Sequence, residues 1–333
     1  MPDTITATYR IVTPMFIGGA DQTPQDGIRP PAVKGALRFW WRALQWETML
    51  REQTTTAAAL HALHRKEAAL FGIAADDNQA RRRGQGVFLL HVKQPLQSGR
   101  ETQWPQNNTG SGYLGFGLMA TQDTRHREGL LEGSEFTLTL RFRPNTPATD
   151  RETLRDCLQA WSLFGGLGGR ARRGFGSVTL RELDGEDQQQ DAASYHAQAQ
   201  AVLNTHAHTD PFPPYTAFTQ QARFGILHTA DQARQAHEQA GLAYKTYRGQ
   251  PSQLRGRDKL PFGLPLQGVD TDNRRASPLF FHIHALRNEQ YAAAVLFLPA
   301  TFHHERPYQY EGEHLTQFNQ VVARFVPQQE PNP

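Results

Sequence analysis

One cysteine, Cys157, serves all 333 residues, which excludes an internal disulfide. Long apolar runs are also missing, since none approaches the ~20 residues that cross a bilayer. With hydrophobic residues at 38% and a mean hydropathy of -0.61, a membrane-spanning protein is not expected. The opening Met1-Pro2-Asp3-Thr4-Ile5 lacks the basic-then-apolar order of a secretory signal, so a cytoplasmic protein is expected. No repeat with a period of roughly 20–50 residues is present, which argues against a solenoid. Lysine is scarce, with 5 residues against 30 arginines.

What is present is an uneven charge. The formal net charge is only +3, yet residues 1–100 hold 13 basic and 8 acidic side chains, residues 101–180 hold 9 and 8, and residues 181–333 hold 13 and 16. The basic surplus belongs to the front of the chain. Arginine's planar fork grips two phosphate oxygens or stacks on a base, which suits a nucleic-acid partner. A GC-rich genome would give the same bias with no partner at all, so position has to decide.

The length is about twice the common ~100–150-residue domain, so two domains are expected, each with its own core. Apolar alternation places strands near residues 4–13, 86–93, 135–143 and 176–183. Helical spacing places helices at Ala32–Leu50, once the paired Pro30-Pro31 are passed, and at Ala57–Phe71. A third helix, carrying Leu154, Cys157, Leu158 and Trp161, is expected to be capped by the Thr149/Glu152 pair. The order is β-α-β-β-α-β, that of a ferredoxin-like or RRM-like domain. Between the second and third strands, Trp104–Gly112 is rich in turn formers and reads as an exposed insertion. The acidic Asp184–Asp191 reads as a linker. The expected fold class is therefore α+β, with a first domain over residues 1–183, a linker region over 184–214 and a second α+β domain over 215–333. That second domain is expected to hold a strand at Arg223–Thr229, a helix at Asp231–Tyr244, a hairpin turning at Arg287–Gln290 and a closing helix at Glu313–Phe325.

Two motifs carry candidate chemistry. In Arg29-Pro30-Pro31-Ala32-Val33-Lys34-Gly35-Ala36-Leu37-Arg38-Phe39-Trp40-Trp41-Arg42, the cations Lys34, Arg38 and Arg42 are spaced by four and form one stripe on a helix. A helix N-terminus beside them favours phosphate, Gly35 would let another backbone approach, and one of Trp40 and Trp41 is left to stack a base. An amphipathic helix with solvated charges fits the same residues. In Phe164-Gly165-Gly166-Leu167-Gly168-Gly169-Arg170-Ala171-Arg172-Arg173-Gly174-Phe175-Gly176-Ser177, six glycines would let backbone amides follow a phosphate chain that Arg170, Arg172 and Arg173 neutralise. No strand precedes this glycine run and no Gly-Lys-Ser/Thr follows, so neither a dinucleotide fingerprint nor a P-loop fits and no cofactor is expected.

These two motifs, with a strand leading into the first, resemble the RAMP superfamily of CRISPR proteins, and within it the subunits of type III-B (Cmr) RNA-targeting effectors. Leu260–Pro265 and Arg274–Leu279 resemble the second half of such subunits. The resemblance implies two ferredoxin-like domains in tandem, with loop insertions. It also implies contact with the 3′ portion of the guide RNA (crRNA) and with complementary target RNA, other Cmr subunits as partners, and no nuclease role. The RNA-binding residues expected are Arg29, Lys34, Arg38, Trp41, Arg42, Gly165, Gly166, Gly168, Gly169, Arg170, Arg172 and Arg173.

Catalytic alternatives find little support in the residues. Some RAMP relatives cut the guide precursor with a histidine near the first helix, but Arg29–Leu50 contains none. His206/His208, His282/His284 and His303/His304 lack the further ligands of a metal site, and Asp76-Asp77 alone is weak. Cys157 lies on the apolar side of its helix and reads as a structural thiol. A metal-independent endoribonuclease and an assembly protein using its basic patches on an acidic partner remain the alternatives. Arg81-Arg82-Arg83 reads either as a loop charge cluster or as solvated surface.

Overall fold

The computed structural model describes residues 3–19, 21, 23–73, 84–94, 99–206, 212–249, 254–301 and 315–327. Arg81-Arg82-Arg83, Asp76-Asp77, His208, His303/His304 and the first two residues of the expected closing helix lie outside them.

The alternation of Thr4–Ile11 builds β1, whose Ile5, Ala7, Tyr9 and Ile11 are buried. Tyr9 shows why this strand is central. Its ring stacks on Phe136 at 5.5 Å and meets Trp161 at 4.8 Å, while its hydroxyl donates to the Leu158 carbonyl at 2.9 Å. β1 pairs antiparallel with β3 (Glu135–Phe142) and with β4 (Val178–Leu183), and β3 pairs antiparallel with β2 (Phe88–Lys93). A two-residue β5 (Glu186–Asp187) completes the order β2-β3-β1-β4-β5. The acidic segment expected as a linker thus begins as a sheet edge. Asp184 (φ +52°) and Gly185 (φ +88°) form the tight turn that makes this possible.

Helices α1 (Pro30–Glu52), α2 (Thr56–Phe71) and α4 (Ala148–Phe164) accompany this sheet, and short α3 (Gly110–Leu114) lies in the insertion. α1 starts at Pro30 rather than after the prolines, because N–H groups in the first turn have no acceptor within the helix, so prolines lose no bond there and their preset φ fits. The expected Thr149/Glu152 cap is not used. α4 begins two residues earlier, at Ala148 after Pro147, with no side-chain cap.

After α5 (Ala192–Thr205) come β6 (Arg223–Ala230), α6 (Ala233–Gly249), the small ribbon β7 (Leu264–Leu266) and β8 (Asp270–Arg275), and the hairpin β9 (Leu279–Ala285) with β10 (Tyr291–Phe297). β6, β10 and β9 form an antiparallel sheet in that order, and α7 (Leu315–Ala323) closes the described chain. Phe224, Phe280, Leu286 and Leu296 of this second sheet and its turn share one buried cluster with Trp40, Trp161 and Tyr9 of the first. Among the described residues no helix is long and apolar enough to cross a membrane.

The Trp104–Gly112 insertion does not stand away from the body. Trp104 is half-buried between Phe175 (4.9 Å) and His237 (5.0 Å), and the Glu238 carboxylate accepts the Gly110 and Ser111 amides at 2.6 and 2.8 Å. α3 and α6 then touch backbone to backbone. A methyl group on Gly241 would lie 2.1 Å from the Gly110 carbonyl oxygen. Gly241→Ala is therefore expected to cost about 2 kcal/mol despite its better helix propensity, read as a lower urea midpoint. An unchanged or raised midpoint would show the contact to be slack.

Candidate nucleic-acid interface

The stripe on α1 exists, but it faces α2. Arg38 and Arg42 both bind the Glu67 carboxylate, at 3.1 and 2.9 Å, and the Glu67 side chain is only 8% exposed. Arg38 also donates to the Gly72 carbonyl and lies over the Phe71 ring. Lys34 donates to the Phe71 carbonyl at 3.2 Å and rests over Phe88. Burial, and then the neighbouring Arg38 cation, hold its ammonium below the usual lysine range. Arg29, at the helix entrance, donates to the Gly18 carbonyl at 2.7 Å.

Neither tryptophan is left for a base. Trp40 and Trp41 are each 3% exposed. Trp41 packs edge-on against Phe71 and donates to the Thr153 hydroxyl at 3.3 Å, and Trp40 sits among Phe39, Phe164 and Phe280. The stacking role expected of Trp41 is thus corrected, because α4 and the second sheet close over faces that helical spacing alone leaves open. Gly35 is corrected too: no atom approaches the place of its missing side chain within 4 Å.

The glycine run works mainly inward. The Gly165, Leu167 and Gly169 amides donate to the carbonyls of Trp161, Gly176 and Phe16 at 2.9, 2.9 and 2.7 Å. The Gly165 and Gly166 carbonyls accept from His282 and from Trp161. These glycines let the loop lie against the core, and a side chain at Gly165 would collide with Trp161 and Trp40. Gly165, Gly166 and Gly169 are therefore packing residues, not an open amide track. Gly168, exposed and at φ +97°, does line the site.

The arginines of that loop reach a cleft of about 720 Å³. Arg170, Arg172 and Arg173 meet Arg248 of α6 and Arg275 of β8 there, with Tyr113, Phe116, Tyr244 and Phe262 as aromatic lining. No aspartate or glutamate is among the described lining residues. Arg172 is held in place by stacking on Phe280 (4.6 Å) and Phe39 (5.1 Å) and by donating to the Ser277 carbonyl at 3.0 Å. Burial, then Arg275 and Arg173, push its guanidinium down to about 10. Arg173 lies over Tyr244 (5.1 Å) and Phe281 (5.8 Å), and Arg248 donates to the Tyr113 hydroxyl at 3.0 Å. Arg173 Nη1, Arg248 Nε and the Tyr244 hydroxyl are buried without a hydrogen-bond partner. Buried donors of this kind are costly until something accepts from them. Like charges crowded in a half-dry cleft are relieved by an anion, and successive phosphates would satisfy several donors at once. Phe116, 76% exposed, gives the rim an open aromatic face.

Arg248, Arg275 and Phe116 are not among the residues that the two motifs mark. They lie far from the glycine run in sequence and reach it only through the docking of α3 on α6 and the turn into β9. Arg275 sits in the Arg274-Arg275 pair of the second-half region, the one local signal there.

Fold and basic cleft together identify the class: residues 8–179, more than half of the chain, match the RAMP superfamily, and the protein belongs to it. Within that class it is similar to the CRISPR system Cmr subunit Cmr1-1 of Pyrococcus furiosus, at 23% identity over 319 residues that cover 90% of this chain and 87% of the relative. The crystal structure of Cmr1 from Pyrococcus furiosus in its apo form matches with a TM-score of 0.62 at 19% identity, covering 98% of this chain and 97% of that one. A chain of the type III-B Cmr-beta complex, solved bound to cognate target RNA and AMPPnP, matches with a TM-score of 0.60 at 11% identity over 98% of this chain and all of that one. The mixed α/β architecture with antiparallel sheets is thus a Cmr1-like fold.

Proposed function

We propose that this chain is a non-catalytic, RNA-binding subunit of a type III-B CRISPR (Cmr) effector that grips the 3′ portion of the guide RNA and its target duplex, and that it works in the cytoplasm with the other Cmr subunits. The similarity to Cmr1 along nearly the whole chain supports membership of such a complex. Two ferredoxin-like units would carry the site. The strand order β2-β3-β1-β4 fits that description, as does the succession β6-α6-β9-β10-α7 once the separate β7-β8 ribbon is set aside as an insertion.

The observation that carries the RNA reading is the cleft with five arginines, no carboxylate among its described lining residues and a buried, unpartnered Arg173 Nη1. Contacts to the sugar-phosphate backbone bind without reading sequence, as a subunit serving many guides requires. The cleft also suits binding better than proton transfer. Arginines stay protonated, and His237, beside the loop, is fully buried with both ring nitrogens engaged by Ser111 and Arg173.

Ultraviolet crosslinking of the assembled complex is expected to join guide RNA to peptides containing Arg170–Arg173, Arg248 and Arg275. Crosslinks confined to other surfaces would reject the cleft. Labelled guide precursor incubated with the purified chain in EDTA is expected to stay intact, and specific cuts would favour the endoribonuclease reading.

A further inference from the structure

The stripe residues that the RNA cleft does not use line a second groove of about 400 Å³ beside the N-terminal end of β2. Its floor is Phe71 and Phe88, each 2% exposed. Lys34, Arg38 and Arg143 supply three cations around it. No carboxylate is among the described lining residues, and Glu67, the acidic group nearest this stripe, is already shared by Arg38 and Arg42. Its rim is aliphatic: Leu89 is 70% exposed and Ile73 41%.

We infer that this groove docks a segment of a neighbouring effector subunit that pairs an aspartate or glutamate with aliphatic side chains. The charge demands an acidic occupant. The rim selects a protein over RNA: bases stack on open aromatic faces, and here the aromatic rings are buried while the exposed groups are Leu89 and Ile73. An isolated apolar rim of this kind, bordered by cations, is what an acidic and apolar peptide covers. Lys34 is the pivotal group, because its half-desolvated ammonium beside Arg38 gains most from a carboxylate. This inference rests on reading the chain as a Cmr subunit, but not on where RNA binds.

The test co-expresses the full chain with the other Cmr subunits of its own genome and treats the purified complex with a carbodiimide, which joins amines to carboxylates in direct contact. Lys34 is expected to couple to an Asp or Glu of one neighbouring subunit. Leu89→Asp combined with Arg143→Glu is expected to reduce co-purification with that subunit roughly tenfold or more, with the melting temperature and the RNA affinity of the isolated chain unchanged. Coupling of Lys34 only to carboxylates of its own chain, crosslinking of RNA to Lys34 or Leu89, or wild-type assembly by the double variant would each overturn the docking site. A wild-type chain that fails to join the other subunits would instead reject the subunit reading itself, and the groove with it.

Discussion

Arg172→Ala with Arg173→Ala is expected to weaken the binding of single-stranded RNA by roughly 100-fold near ~150 mM salt, measured by fluorescence anisotropy. Each charge-assisted bond to phosphate contributes about 1.5–3 kcal/mol, and the low end for two such bonds already amounts to a factor of about 100. The salt dependence is expected to become shallower at the same time, by about 0.7 in the logarithmic slope for each single-strand phosphate that is no longer neutralised. Arg172 also stacks on Phe39 and Phe280, so its truncation costs some stability as well. Arg275→Gln and Arg170→Gln serve as the rim controls: neither is the cation stacked between two core rings, and each is expected to lose several-fold in affinity with the fold intact. A folded Arg172/Arg173 double variant with wild-type affinity and salt slope would reject the cleft as the RNA site.

The frame of the first half is legible in the sequence because its strands alternate and its helices carry wide apolar faces. Tyr9 falls on the inward side of β1 and Cys157 on the inward side of α4, as periodicity requires. What periodicity cannot supply is the second face of a helix. Trp40 and Trp41 read as one core residue and one free residue, because a single helix has one inward stripe; α1 is covered by α2, α4 and the second sheet, so both are enclosed. The cationic stripe is visible for the same reason that its use is not. A spacing of four shows that Lys34, Arg38 and Arg42 share a face, while Glu67, which meets two of them, comes from another helix 25 residues or more away in sequence. The glycine run marks the right loop, and three of its arginines reach the cleft. Its glycines suit phosphate when read alone, yet most serve packing, since the same small residue permits both and only the neighbours decide.

Lowering the pH from 7 to 5 is expected to destabilise the folded chain by about 4 kcal/mol, well before its carboxylates titrate. His237 and His282 are fully buried, and burial pushes their imidazoles down to about 4 and about 3. His284 is shifted in the same direction by burial and by His282. The unfolded chain takes up these protons near pH ~6.5, whereas the folded chain refuses them until far lower. Their stabilising effect is thus complete above about pH 6.5 and is lost as the pH falls toward 4 and 3, with about 2 kcal/mol gone for each of His237 and His282 by pH 5. Glu101, Glu238 and Glu289, whose hydrogen bonds to backbone amides and arginines lower their carboxyls, act only below this window. The tautomers follow from the partners. His237 donates through Nε2 to the Arg173 carbonyl at 2.9 Å, and His282 donates through Nδ1 to the Gly165 carbonyl at 2.9 Å. His282 Nε2 then accepts from His284 Nδ1 at 3.3 Å, which leaves His284 Nε2 as a bare acceptor, buried without a partner and stacked with its ring on Tyr195. Urea midpoints between pH 8 and 5 should be level at first and then fall, with a shallower fall in His237→Gln. Midpoints that stay level to pH 5 would show these imidazoles to be solvated. Protonation leaves both donated bonds in place, and the new proton falls on the other nitrogens, which meet the Ser111 hydroxyl in His237 and His284 Nδ1 in His282, so the acid loss comes from charging the core and not from freeing the glycine loop.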